Sequence, residues 1–171
     1  MKYLTDELSH KVCLPGGEIY EPEWNGQIQK MLDELEKISS RLPKRFLKEF
    51  KKKHFHDNII SNIGIEMADM SGKYNVIMRV IDHIDPNVEY MLIFHKVENL
   101  KSELKLGDYG GAVDWLYCEI LPINQKRLSF EVALPDSFLY FEFSKLQYKK
   151  LRKSTENRMK PLNKTGDGSA S

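Results

Sequence analysis

The sequence predicts an α+β domain, with N-terminal helices packed on an antiparallel meander sheet of about six strands. Three observations lead there. Apolar residues recur at the helical period ahead of Asp57 and at period 2 after it. Connections between the alternating segments are short, which favours antiparallel pairing, since a parallel crossover needs about a dozen residues or more. Hydrophobic residues make up 41% of the 171 and aromatics 11%. A chain of this length buries roughly two-thirds of its unfolded surface in one core.

Taken in order, residues 4–12 (LTDELSHKV) form a short helix with Thr5 or Asp6 as its cap. Pro15-Gly16-Gly17 breaks the chain, and GEIYEPE follows as a polar, acidic connector. Trp24, Ile28, Met31, Leu32, Leu35, Ile38 and Leu42 then make one continuous helical stripe. Pro43 ends that helix and suits the first position of another, where its missing N–H costs nothing. Phe46, Leu47 and Phe50 give the second helix its apolar side.

Beyond Asp57 the alternating sets are Ile59 to Met67, Tyr74 to Val80 and Val88 to Phe94, separated by Ser71-Gly72 and by DHIDPN. Segment 98–111 is less regular. Segments 112–120, 127–134 and 138–146 read as three more strands, turned by Pro122 to Gln125 and by Pro135-Asp136-Ser137. The expected organisation is a single α+β domain over 1–151, with helices at about 4–53 and the sheet at about 58–151. The polar stretch 152–171 reads as a flexible tail.

The formal net charge is +1, so no global field marks nucleic acid, membrane or an acidic substrate as partner. Lys44 to Lys53 carries a local balance of +5, but residues 18–36 carry −5 and offset it. Nucleic acid is therefore an unlikely partner. No apolar run approaches the roughly 20 residues that cross a bilayer, and MKYLTDELSHKV lacks a signal peptide's apolar stretch. Cys13 and Cys118 form no metal-type or redox-type pair, which fits reduced thiols in the cytoplasm.

The seam KKKHFHDNII holds the one candidate metal cluster, His54, His56 and Asp57. On an extended segment, residues two apart point the same way, so both imidazoles reach one ion and a carboxylate completes the set. A third ligand would have to come from Asp82, His83, Asp85 or His95, none of which shows ligand-type spacing. The simpler reading is structural: Asp57 and Asn58 bond nearby backbone where a helix gives way to a strand, with His56 packed at the corner. Cys118 reads as a small core residue. Cys13 has His10 three residues earlier but no third member of a triad. No cofactor motif is present.

The start MKYLTDEL, the His56-Asp57 pair ahead of the first strand, the strand Trp115-Leu116-Tyr117-Cys118-Glu119, and the aromatic, acidic strand Phe138 to Phe143 occur in this order. In these features the chain resembles an uncharacterised family of bacterial proteins, over about residues 1–151. It is also distantly similar to small immunity proteins of bacterial toxin systems, which bind and block a partner. The resemblance implies no known activity. Together these features predict a non-enzymatic protein-binding module, for which the resemblance implies the immunity type, with His56, Asp57, Trp115 and Tyr117 as structural or binding candidates. The aromatics Tyr90, Trp115, Tyr117, Tyr140 and Tyr148 are expected to supply part of an outward contact surface. The alternative is a small metal-dependent hydrolase using His54, His56 and Asp57.

Overall fold

The structure, a computed structural model, describes residues 1–53, 55–70, 72–103, 113–135 and 137–152. It is an α+β fold in which three N-terminal helices pack against an antiparallel sheet. Helix α1 (Asp6–Cys13) starts at Thr5, whose hydroxyl accepts from the Leu8 N–H at 3.3 Å. The turn that follows depends on Gly17: a Cβ there would sit 2.3 Å from the Val12 carbonyl oxygen. Instead of a plain connector, residues Gly17–Tyr20 wind into one 3-10 turn.

Helix α2 (Glu21–Lys37) buries Met31 and Leu35, but it ends before the apolar stripe does. Ile38 and Leu42 are buried from either side of a 3-10 turn, Ser39–Arg41. The predicted single helix to Leu42 is therefore two pieces. Two serines that compete for backbone hydrogen bonds weaken the last turn, and Leu42 is held extended by the proline after it. Helix α3 (Lys44–Lys53) follows Pro43, whose carbonyl accepts the Leu47 N–H at 3.0 Å. Phe46 and Phe50 are fully buried beneath it.

Among the described residues eight strands follow: β1 (Ile59–Met67), β2 (Tyr74–Ile81), β3 (Val88–Glu103), β4 (Val113–Asp114), β5 (Tyr117–Pro122), β6 (Leu128–Leu134), β7 (Ser137–Phe143) and β8 (Lys145–Arg152). Their order is β4-β1-β2-β3-β7-β6-β5, with β8 also on β3. This is meander-like: β1-β2-β3 and β5-β6-β7 are each hairpin-connected, and the β3–β7 pair joins them. Three expectations change. The segment predicted as irregular from residue 98 continues as strand to Glu103, while 104–111 lies outside the described residues. The predicted strand 112–120 breaks at Trp115-Leu116 into β4 and β5. The predicted strand 138–146 bends at Ser144 and runs on to Arg152, pairing with β3 from Glu103↔Phe138 to Val88↔Arg152. The predicted tail beyond Arg152 lies outside the described residues.

The break at Trp115 closes the sheet. The Trp115 N–H donates to the Asn58 carbonyl at 2.8 Å and the Trp115 carbonyl accepts the Asp57 N–H at 3.0 Å, so residues 113–115 lie on β1. The next N–H, of Leu116, donates to Ala133 at 3.1 Å, so residues 116–122 lie on β6. Hydrogen bonding thus runs β1-β2-β3-β7-β6 and back to β1 through one short chain segment, as in a barrel. The closure needs a bent β3. Lys96 and Asn99 have φ of 54° and 52°, beside a register shift between Glu98 and Lys101. Phe94 lies inside the bend with Phe130, Phe141 and Phe143 at 4.8–5.1 Å between ring centroids. α3 fills the remaining side, Phe46 meeting Tyr148 and Phe55 meeting Tyr90.

Candidate functional site

The four residues singled out from the sequence converge on one corner. After α3 the chain reverses through Phe55 and Asp57, with φ of 54° and 63°. A left-handed conformation costs a non-glycine residue roughly 1–2 kcal/mol, and it persists where packing over-determines it. Phe55 is 2% exposed, among Phe46, Phe50, Tyr90 and Trp115. Asp57 donates its N–H to Trp115. The His56 ring lies 5.3 Å from that of Tyr117, and Tyr117 meets Trp24 of α2 edge-on at 4.9 Å.

His56 Nδ1 is 2.8 Å from Asp57 Oδ2. A carboxylate only accepts, so Nδ1 carries the proton and Nε2 is left as the free ring nitrogen. This is the orienting half of a catalytic dyad; among the described residues no hydrogen bond joins a nucleophile to Nε2, and Ser9 turns its hydroxyl to Tyr117 Oη at 3.0 Å. Burial pushes the Tyr117 phenol up, and Ser9 counters part of that. Burial also raises the Cys118 thiol well above its ordinary value, the opposite of what a nucleophilic cysteine needs.

The other predicted ligands go elsewhere. His83 faces the buried Asn58, its N–H and Nδ1 at 3.1 and 3.2 Å from Asn58 Oδ1, and His95 Nδ1 is 3.2 Å from Asn75 Oδ1. Asp82 accepts from the Ile84 and Asp85 N–H groups and from the Tyr90 hydroxyl at 2.5 Å. His54 lies outside the described residues, and among the described residues no group of three His, Cys, Asp or Glu is placed to hold a metal ion. The basic run of α3 is a solvated face, and its expected balance with the acidic helix is met by an ion pair between Lys51 and Glu36.

Two polar sites were not anticipated. Glu119, 1% exposed, accepts three consecutive backbone N–H groups, from Lys2, Tyr3 and Leu4, each at 2.7 Å. Beside it the Met1 ammonium pairs with Glu131 at 2.9 Å. Asp82 and Tyr90 form the second, under the turn between β2 and β3. Burial, with Asp82 alongside, pushes the Tyr90 hydroxyl far up, which keeps it a proton donor. A carboxylate inside an otherwise apolar strand, W-L-Y-C-E-I, was the visible signal for the first.

The aromatics expected to face outward are divided between the interior and the surface. Tyr90 and Trp115 are fully buried, and Tyr117, Tyr140 and Tyr148 are half-buried, because a sheet closed on itself needs bulky rings inside. A cluster of exposed apolar side chains lies at the far end of the β1–β2 hairpin. Ile65, Met67, Met70 and Tyr74 there are 46–96% exposed. Ile65 pairs with Val76 and Met67 with Tyr74, so Ile65, Met67 and Tyr74 continue the face that Met78 and Val80 bury lower down. Among the described residues, β1 has a partner on its outer edge only at Ile59 and Ile60.

Among the described residues no helix is long and apolar enough to cross a membrane. Comparison with models of protein families and with curated proteins gives no match to this chain.

Proposed function

We propose that the chain is a non-enzymatic protein-binding module whose contact surface is the far end of the β1–β2 hairpin. The observation that carries it is the apolar face of Ile65, Met67 and Tyr74 lying against an outer strand edge, with Met70 at the tip. Such an edge offers backbone groups to an added strand, and the side chains beside it offer apolar burial. A net charge near zero makes apolar contact rather than long-range attraction the driving term, so binding should depend weakly on salt. The hairpin end is far from the closure at Trp115, which leaves it substitutable without cost to the core.

The test compares proteins captured by the wild-type chain with those captured by an Ile65→Lys, Met67→Lys double variant of unchanged thermal stability. Ile19→Lys, at an exposed apolar residue elsewhere, serves as control. A specific partner held by the wild type and by Ile19→Lys but lost from the double variant supports the proposal. Equal capture by all three overturns it. The finer form, an immunity-type protein, requires in addition that the captured partner be toxic to bacterial cells and that co-expression of the wild type, not of the double variant, relieve the toxicity.

A further inference from the structure

On the opposite side of the molecule from the hairpin's free end, α1 and α2 lean on the start of β5 and leave a cavity of about 420 Å³. That size falls within the roughly 300–1,000 Å³ of small-molecule sites. Its deep wall is apolar: Leu4, Met31 and Cys118 are buried there, and Ile28 continues it along α2. Three rings stand around it, since Tyr117 meets Trp24 at 4.9 Å and 70° and meets His56 at 5.3 Å and 49°. Among the described residues no lysine, arginine, aspartate or glutamate lines it.

The polar groups converge at one end. His56 lines the cavity with Nδ1 already held by Asp57, so Nε2 is its remaining hydrogen-bonding atom, an acceptor in the neutral imidazole. Tyr117 receives the Ser9 hydroxyl at 3.0 Å and has the Cys13 thiol as its other polar neighbour, and burial holds it in the phenol form, so its O–H is the donor at this end. A group that donates to Nε2 and accepts from the Tyr117 O–H is a hydroxyl. An anionic head would meet no cationic side chain in the lining and would approach the Asp57 carboxylate behind the imidazole. The apolar wall and the ring faces suit a flat hydrocarbon body.

From this the geometry points to a binding site for a small, uncharged, flat aromatic molecule carrying one hydroxyl, held by His56 and Tyr117 over a wall of Leu4, Ile28, Met31 and Cys118. It is separate from the hairpin surface, and neither site depends on the other.

The probe is 2-naphthol, titrated into the full chain and followed by the nuclear magnetic resonance signals of the Trp24 indole N–H and the Met31 methyl. Saturable shifts at these two groups, with the Met70 methyl unmoved, are expected with Kd below about 1 mM. Naphthalene-2-sulfonate, with the same rings and a fixed negative charge, should bind more weakly. His56→Phe, at a half-exposed position, should weaken 2-naphthol by about 2- to 10-fold, the worth of one hydrogen bond. It should leave 2-methoxynaphthalene, which has no proton to donate, unchanged. Ile28→Trp fills the cavity and should abolish binding while the amide spectrum stays that of the folded chain. Absence of saturable shifts overturns the proposal. So do equal affinity for the sulfonate and an equal effect of His56→Phe on both neutral naphthalenes.

Discussion

Replacing Glu119 by Gln tests how the N-terminal residues are held. In the wild type one buried carboxylate satisfies the N–H groups of Lys2, Tyr3 and Leu4, all at 2.7 Å. Hydrogen bonds to a charged acceptor are worth roughly 1.5–3 kcal/mol each, but three sharing one group do not add. Glutamine keeps one acceptor oxygen and points an NH₂ at donors, leaving at least one N–H buried without a partner. Breaking a buried charged site of this kind costs about 3–5 kcal/mol. For a chain of this length each kcal/mol is worth about 2–4 °C, so the melting temperature should fall by about 6–20 °C. The assay is thermal and urea unfolding of Glu119→Gln, repeated in a chain lacking residues 1–4. In the shortened chain the same substitution should cost less than about 1 kcal/mol, because the donors are gone and water reaches the site. Equal losses in the two backgrounds, or a fall under about 2 °C in the full chain, would show that the carboxylate does not anchor the N-terminal segment.

Two further expectations concern stability. The folded chain holds the Cys118 proton that the unfolded chain releases above about pH 8.5. Its contribution is therefore whole below that pH and is lost as pH rises, by up to about 1.4 kcal/mol per unit. Cys118→Ala should shift stability downward at all pH values yet remove this slope, read as urea midpoints at pH 7, 9 and 10. An undiminished slope would mean that another group titrates there; Tyr90 and Tyr148, raised from ordinary phenol values, add their own losses only from about pH 10 upward. The glycines of the helical region should respond with opposite signs. Gly17→Ala forces a Cβ against the Val12 and Lys11 carbonyls and should cost about 1–3 kcal/mol. Gly26→Ala, exposed within α2 with nothing inside 4 Å, should gain about 0.5–1 kcal/mol by thermal unfolding.

What could be read from the sequence was what local periodicity encodes. The stripe from Trp24 to Leu35 and the alternation of β2 and of β3 up to Phe94 carry their burial in residue spacing, and those two strands begin where that spacing puts them. β8 escaped because it sits at an edge: only Leu146 is buried on it, and KLQYKKLR shows lysines where a central strand would alternate. The closure escaped for a different reason. It depends on Asp57 and Asn58 bonding Trp115, a pairing far apart in the chain that leaves no periodic trace. The partners of Glu119 are likewise more than a hundred residues away. Its oddity as a carboxylate in an apolar strand was visible, and its purpose was not.

The same long-range contacts explain why three short motifs occur together. MKYLTDEL, the His-Asp seam and WLYCEI are widely separated in sequence, and in space they form one joint. Glu119 grips residues 2–4, Tyr117 bonds Ser9 and packs on His56, and Trp115 exchanges hydrogen bonds with Asp57 and Asn58. Each motif satisfies polar groups that another would leave buried and unpaired, so losing any one of them exposes the other two to that cost. The joint therefore accounts for these residues through the closure of the sheet. It follows that chains sharing the three motifs should share the closure while differing freely at the far end of the β1–β2 hairpin, from Ile65 to Tyr74. Grafting another sequence onto the hairpin end from Ile65 to Tyr74 should then change what the chain binds while leaving its unfolding transition in place. A graft that unfolds the chain would show that the hairpin belongs to the joint after all.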